Sequence, residues 1–389
     1  MTGATGCRKD DAAGDPFDQG GAVEPIQVGL EVEEGGDRMI SIEPGNRQGA
    51  PVSLTEPPRD IVVIGASRGG VEALEGRLTL DDAVVRAADR AARIWEASDA
   101  GPIVLGSEGH KRAFCRMLID THNPYRPSIV DWPILEPEAR DRLVSLPIWD
   151  IAMQTEGNAS LRVLSYAETI EDPLLREAVE IDGFEETRHK QVLSNLVQAY
   201  GIPLAPEPEY LRPRHPEWAF LLAGFCECVD TFFAFGLFAL AKRSGFFPPA
   251  LVDTFEPVVQ EEGRHILFFV NWVAWHRRNL PLWRRVLFAA KILSVWAFLI
   301  WERIGIALDG ARGAQAGTGV PDNNFVFTGS KAIGGVDMSA AVLIGVCLSE
   351  HERRFSGYDA RLLRPNVMPR LMRSVSRFLR WRGPAVAAR

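Results

Sequence analysis

Two short stretches of the chain repeat the same pattern of residue types: EETRH at 185–189 and EEGRH at 261–265. Within each stretch a glutamate precedes a histidine by three positions, and residues three apart on a helix lie on the same face. The two pairs are Glu186 with His189 and Glu262 with His265. One carboxylate and one imidazole from each of two helices are typical ligands of a dinuclear metal site in a helical bundle.

Such a site also needs one carboxylate from each of two further helices. Apolar periodicity, prolines at helix starts and glycines just after helix ends predict four long helices in the middle of the chain. The connection between the second and third helix is long and rich in proline, and the other two connections are short. The predicted helices cover 148–168, 173–199, 217–243 and 249–277.

The rise of a helix predicts which carboxylates reach the same height. Glu156 and Glu186 both lie about 12–13 residues from the turn that joins their helices, roughly 18–20 Å at ~1.5 Å per residue. In the second helix pair, Glu227 and Glu262 differ in height by roughly 5 Å, which an error in the helix ends could absorb. The predicted metal ligands are therefore Glu156, Glu186, His189, Glu227, Glu262 and His265.

Four carboxylates and two imidazoles suit two iron ions, with two manganese ions or a mixed pair as alternatives. Zinc sites usually have thiolate-rich or closed tetrahedral ligand sets. By these six residues the sequence resembles the ferritin-like di-iron carboxylate protein family, over residues 140–277. The resemblance implies an all-α protein: a ferritin-like four-helix bundle with one long crossover, here extended by flanking N- and C-terminal helices.

Two aspartates lie one helical turn from predicted ligands. Asp182 precedes Glu186 by four residues, and Asp230 follows Glu227 by three. We expect both to orient the histidine ligands through hydrogen bonds.

Each repeat carries another glutamate and an arginine. Glu185 and Glu261 stand next to predicted ligands but are turned about 100° away on the helix, so we expect them to matter little for metal binding. Arg188 and Arg264 either pair with acids near the site or are plain surface arginines.

The composition changes along the chain. Residues 1–58 are glycine-rich and acidic, with ten acids and four basic residues in the first fifty positions, and are predicted to be disordered. The other predicted regions are 59–135, a short strand-like piece with N-terminal helices; 136–277, the di-metal bundle; and 278–389, a helical extension with a basic tail.

The strand-like piece at 60–74 resembles the strand and nucleophile turn of chemotaxis methylesterases, with Ser67 at the nucleophile's place. No catalytic domain of that type follows, and a short strand or a remnant of gene fusion explains the segment equally well. A helical pattern then covers 80–98.

Charge and cysteine content limit the partners and the compartment. The net charge is −8, and the body of the chain has no basic cluster, which argues against nucleic acid. Five scattered cysteines and an N-terminus without a secretory signal favour a reduced, cytoplasmic location, with membrane association left open.

Two C-terminal segments leave membrane association open. Residues 286–301 carry one charge and are predicted to form a fifth helix that either covers the bundle or lies at a membrane surface. The basic tail at 361–389 either docks on its own protein or contacts anionic lipid, and we favour docking.

Three functions fit these residues. The favoured hypothesis is a non-haem di-iron oxidase or oxygenase that activates dioxygen, with an electron donor, to oxidise an apolar or lipid-like small molecule. The alternative is a ferritin-like protein that oxidises and stores iron without an organic substrate. A third is a membrane-associated scaffold with a degenerate site, although none of the six ligand positions looks degenerate.

Overall fold

The computed structural model describes residues 89–123, 132–146, 148–316 and 339–381. The segments 1–58 and 60–74 discussed above lie outside these residues. The described part of the chain is all-α and contains no strand. Its helices are α1 (Glu108–Asp120), α2 (Pro137–Val144), α3 (Trp149–Ala167), α4 (Pro173–Tyr200), α5 (Pro216–Ser244), α6 (Pro249–Asn279), α7 (Leu282–Ala316), α8 (Ala340–Phe355) and α9 (Val367–Trp381).

The ends of the long helices follow from local residue chemistry. The Asp172 side chain accepts a hydrogen bond from the Leu175 amide, and Pro173 occupies the first turn of α4. That helix ends at Gly201, whose φ of 66° is the left-handed conformation that glycine adopts without strain. The four helices predicted between 148 and 277 are confirmed, with ends that differ by at most two residues.

Helices α3, α4, α6 and α5 contact one another in a closed cycle. The backbone amide of Ala205, just after α4, donates to Asp150 at the start of α3 over 2.8 Å. Tyr166 near the end of α3 stacks on Phe220 near the start of α5, with ring centroids 4.6 Å apart. Helices α4 and α5 therefore run in the same direction, and the non-helical connection at 201–215 returns along the length of the group.

The core between these helices is aromatic and closely packed. Trp272 is fully buried and lies edge-on against Phe220, 4.8 Å between centroids. Gly224 lets α5 approach α6, since a Cβ at this position would lie 2.3 Å from the Phe269 ring. By length and composition α5 could cross a membrane, but more than half of its most apolar stretch is buried in the protein.

The remaining helices cover the outside of this group. Helix α1 lies on both α4 and α6, α7 on α5 and α6, and α8 and α9 on α5. The helix predicted over 80–98 is wrong at its end: the described residues are helical only to Ala91, and Trp95 instead forms an isolated bridge with Tyr358.

Candidate metal centre

Four of the predicted ligands form one compact cluster between α4 and α6. The ligand atoms of Glu186, His189, Glu262 and His265 all lie within 4.8 Å of one another. His265 Nδ1 is 2.8 Å from Glu186 Oε1, and His189 Nδ1 is 3.1 Å from Glu262 Oε1. Each histidine thus faces a carboxylate, and the histidine of one repeat and the glutamate of the other meet across the two helices.

The other two predicted ligands face the same cluster from α3 and α5. Glu156 Oε2 lies 3.8 Å from His189 Nδ1. Glu227 is close enough to Glu186 for their charges to interact. Helices α3 and α5 therefore each place one acid near the four-residue cluster, with Glu156 3.8 Å from His189 and Glu227 within charge interaction of Glu186.

Several polar atoms in this cluster are buried without a well-aligned hydrogen bond, although Glu186 Oε1 lies 2.8 Å from His265 Nδ1 and Glu262 Oε1 lies 3.1 Å from His189 Nδ1. A buried polar atom without a partner is costly, and native proteins usually avoid it. Here the unpartnered atoms all point to one place, and all are of the kind that bind metal ions. They are Asp182 Oδ1, Glu186 Oε1, His189 Nδ1, Glu227 Oε1 and His265 Nδ1. The residues present therefore fit a metal centre.

The crowded charges and the burial of the cluster shift the pKa values of its side chains. Burial, and then the neighbouring charge of Glu186, raises the pKa of Glu156 and of Glu227 well above the ordinary carboxyl value. Burial lowers the pKa of His189, but the hydrogen bond to Glu261 and the adjacent Glu262 carboxylate outweigh it and leave that pKa well above the usual imidazole value. Without metal, protons on these groups offset part of the mutual repulsion of the carboxylates.

The outer nitrogen of each histidine is held by a glutamate that the sequence analysis had set aside. His265 Nε2 lies 2.7 Å from Glu185 Oε2, and His189 Nε2 lies 2.9 Å from Glu261 Oε2. Both glutamates are buried, at 0% and 1% exposure. The expectation that Glu185 and Glu261 matter little does not fit these positions, because such contacts fix the orientation of a ligating ring.

The arginines of the two repeats neutralise these same glutamates. Arg264 donates from one guanidinium nitrogen to both carboxylate oxygens of Glu185, at 3.0 Å each, and Arg188 donates to Glu261 over 2.7 Å. Burial raises the pKa of Glu185, but the Arg264 charge and the adjacent imidazoles outweigh it and hold that pKa well below its ordinary value. Of the two alternatives left open for Arg188 and Arg264, the structure shows pairing with acids near the site and not a plain surface position.

The arginines also attach α1 to the site. Arg264 donates to the Leu118 carbonyl and to Thr121, both over 2.7 Å, and Arg188 donates to the Asn123 carbonyl. These acceptors lie at the C-terminal end of α1, where helix carbonyls lack partners within the helix. Helix α1 is therefore fixed over the glutamate–histidine cluster by the arginines that pair with Glu185 and Glu261.

The two predicted supporting aspartates have different positions. Asp182 is buried, with Oδ1 3.5 Å from His265 Nδ1, and burial raises its pKa to about 7. Asp230 instead pairs with Arg303 of α7, 2.5 Å apart, and is half exposed. The assignment of Asp230 to the histidine ligands is therefore wrong, because it lies on the side of α5 that faces α7.

Two residues that no sequence pattern had identified also make contacts here, one with the cluster and one with a glutamate beside it. Thr231 Oγ1 lies 3.4 Å from Glu262 Oε2, and His122 Nδ1 lies 2.5 Å from Glu185 Oε1. Thr231 follows Glu227 by one helical turn, so helical spacing could have identified it. His122 comes from the loop after α1, and no local pattern connects it to the site.

A cavity of about 310 Å³ lies between α3, the crossover and α5. Leu161 and Leu222 in its wall are each five residues from Glu156 and Glu227, or about 7.5 Å along the helix axis. Five residues at about 100° each also turn these leucines about 140° around the helix, so the cavity lies on the side of α3 and α5 away from the Glu156 and Glu227 side chains. It is lined by Asn158, Leu161, Arg162, Leu211, Pro213, Arg214, His215, Trp218, Ala219 and Leu222.

No protein-family model matches this chain, and no curated protein or solved structure matches it either. The case for a family therefore rests on the residues described above.

Proposed function

We propose that this protein is a ferritin-like di-iron carboxylate protein that uses dioxygen to oxidise an apolar small molecule. The observation that carries the proposal is the set of buried, unpartnered carboxylate and imidazole atoms that four helices bring together. A donor set rich in carboxylate with two imidazoles suits iron, and manganese or a mixed pair is the alternative.

In this proposal the six ligand residues hold the two metal ions, with Asp182 beside His265 as a further carboxylate. When bound, iron in the reduced state would supply electrons to dioxygen, and a separate electron donor would be needed to restore them. Glu185 and Glu261 keep each histidine turned so that Nδ1 faces the centre. The buried surroundings keep water away from these polar groups.

An organic substrate, rather than iron storage, is favoured by the amount of chain outside the four-helix group. Helices α1, α7, α8 and α9 pack around that group. The subunit of a storage shell is compact, whereas additional helices of this kind fit an enzyme that handles a substrate. A ferritin-like storage protein needs a large hollow shell, so the native particle size distinguishes the two functions.

The test is anaerobic loading with ferrous iron, followed by metal analysis and by mixing with oxygen while the optical spectrum is recorded. We expect about two metal ions per chain and rapid oxygen consumption, as six ligands of this type suit a dinuclear site. Glu186→Ala should lose both. Glu180→Ala, an exposed glutamate on the same helix, is the matched control and should keep both. One bound zinc ion, or no metal after reconstitution, would contradict the proposal.

A further inference from the structure

Helix α7 presents a continuous apolar face to solvent. Phe288, Val295 and Leu299 are buried against the rest of the protein. On the opposite side the exposed positions recur at intervals of three and four, the spacing of one helix face. The large apolar side chains there, each more than half exposed, are Leu282, Trp283, Val286, Leu287, Leu293, Ile300, Trp301 and Ile304. Monomeric soluble proteins rarely expose so long an apolar stripe.

The charges around this face are of one sign. Arginines at 277, 278, 284 and 285 surround its N-terminal end, and none of them forms an ion pair with a carboxylate in the described part of the chain. The Arg284 guanidinium lies over the Trp283 ring, 4.9 Å from its centroid. Lys291 and Arg303, by contrast, are paired with Glu217 and Asp230.

We infer that this face of α7 docks on the surface of an anionic lipid membrane. An interfacial helix buries an apolar face at the boundary of the headgroups while basic residues contact anionic headgroups. Trp283 and Trp301 lie about 27 Å apart along the axis, and tryptophan favours this boundary because its ring is amphipathic. The helix thus lies parallel to the membrane and does not cross it.

The charges favour a membrane over a second copy of the chain. From the exposed apolar stretch at 282–304, a symmetric partner would offer the arginine cluster only one acid, Glu302. An anionic membrane offers many negative headgroups at the same level as the arginines. In one orientation of α7, the apolar face then contacts lipid and the arginines contact the anionic headgroups.

This surface adjoins the cavity described above. Trp218, which lines the cavity, donates from its indole nitrogen to Ser294 of α7 over 3.2 Å. Membrane docking does not depend on the proposed metal chemistry, and it can be tested on protein without metal.

The experiment is co-sedimentation of the full chain with phosphatidylcholine vesicles, with or without phosphatidylserine. We expect binding to the vesicles that contain phosphatidylserine, and a fall of at least roughly tenfold in the partition coefficient for Leu293→Glu. The matched control is Val342→Glu, a similarly exposed valine on α8, which should bind like the wild type. Circular dichroism should show the same helix content for all three proteins.

A second measurement, the quenching of tryptophan fluorescence, reports whether the exposed face of α7 is the one that contacts the lipid. Brominated lipids should quench tryptophan emission in the wild type, and most of that quenching should disappear when Trp283→Phe and Trp301→Phe are combined. Failure of the wild type to bind either vesicle, or equal binding by Leu293→Glu, would overturn the inference. So would binding abolished by Leu371→Glu on the basic helix α9 but not by Leu293→Glu. If Leu293→Glu instead dissociates a dimer that does not bind lipid, the face joins two copies and the inference is also wrong.

Discussion

Glu185→Gln and Glu186→Gln should differ in the property that each changes most. Glu185→Gln should mainly lower the stability of the protein without metal, and Glu186→Gln should mainly prevent metal binding. The two are sequence neighbours of the same type, and both are buried. The Glu185 carboxylate contacts Arg264, His265 and His122. The Oε1 atom of Glu186 faces His265 Nδ1 over 2.8 Å without a well-aligned hydrogen bond, and its charge repels Glu156 and Glu227. The Glu185 carboxylate therefore stabilises the fold more than the Glu186 carboxylate does.

The magnitude follows from the burial of Arg264, which is fully buried. Glu185→Gln leaves this guanidinium without the charge of its partner, and removing one member of a buried ion pair costs about 3–5 kcal/mol. For a chain of this size that is a fall in melting temperature of roughly 5–10 °C. Glu186→Gln should change stability without metal by less than about 1 kcal/mol. The weakened contact with His265 is offset by relief of the repulsion with Glu156 and Glu227, and His265 keeps its contact with Glu185.

The assay is thermal unfolding by circular dichroism in the presence of a chelator, followed by metal analysis after reconstitution. Glu186→Gln should lose metal because a ligand is removed. Glu185→Gln should lower the metal affinity about 10–100-fold, the usual effect of removing a group that orients a ligating histidine. Glu261→Gln and Glu262→Gln should repeat the contrast, and Glu180→Gln should change neither quantity.

The reasoning is refuted if Glu185→Gln unfolds at the wild-type temperature, or if Glu186→Gln costs as much stability as Glu185→Gln. The first outcome would mean that Arg264 is not held by Glu185. The second would mean that Glu186 is a structural ion-pair partner and not an available ligand.

Three further predictions concern other parts of the chain. Gly224→Ala should destabilise by about 1–3 kcal/mol in chemical denaturation, because the new methyl group meets the Phe269 ring. His351 should make the protein acid-sensitive, since burial lowers its pKa from 6.5 to about 4 and the unfolded chain then binds the proton more tightly. Stability should fall by up to about 3 kcal/mol between pH 6.5 and 4, and His351→Gln should remove this part of the acid sensitivity. Deletion of residues 1–58 should leave melting temperature and metal content unchanged, because that segment has no apolar pattern to contribute to a core.

The helices were predictable because their ends depend on neighbouring residues. Asp172 and Pro173 at the start of α4, and Gly201 after its end, act within one helical turn. Heights along the helices could then be calculated from the rise per residue, which brought Glu156 and Glu227 to the cluster. These steps use only distances along one chain segment.

The roles of Glu185 and Asp230 could not be predicted in the same way, because they depend on which helix covers which side. Helical spacing identifies the face of α4 that carries Glu186 and His189, but it does not show what packs against the neighbouring face. Helix α1, more than fifty residues earlier in the chain, covers that face and receives Arg264 and Arg188 at its C-terminal end. Asp230 was misassigned for the converse reason, because α7 supplies Arg303 on the side of α5 away from the cluster.

The similarity of the two pentapeptides now has a cause at four of their five positions. The second and fifth residues of each face the metal cluster, while the first and fourth form the support around it. That support is reciprocal: Glu185 of one repeat holds His265 of the other, and Glu261 holds His189. A change in the first glutamate of one copy therefore acts on the histidine of the other copy. Selection for a working centre would therefore act on both copies together. The two copies differ only at the third position, which is threonine in one and glycine in the other. This position contacts neither histidine.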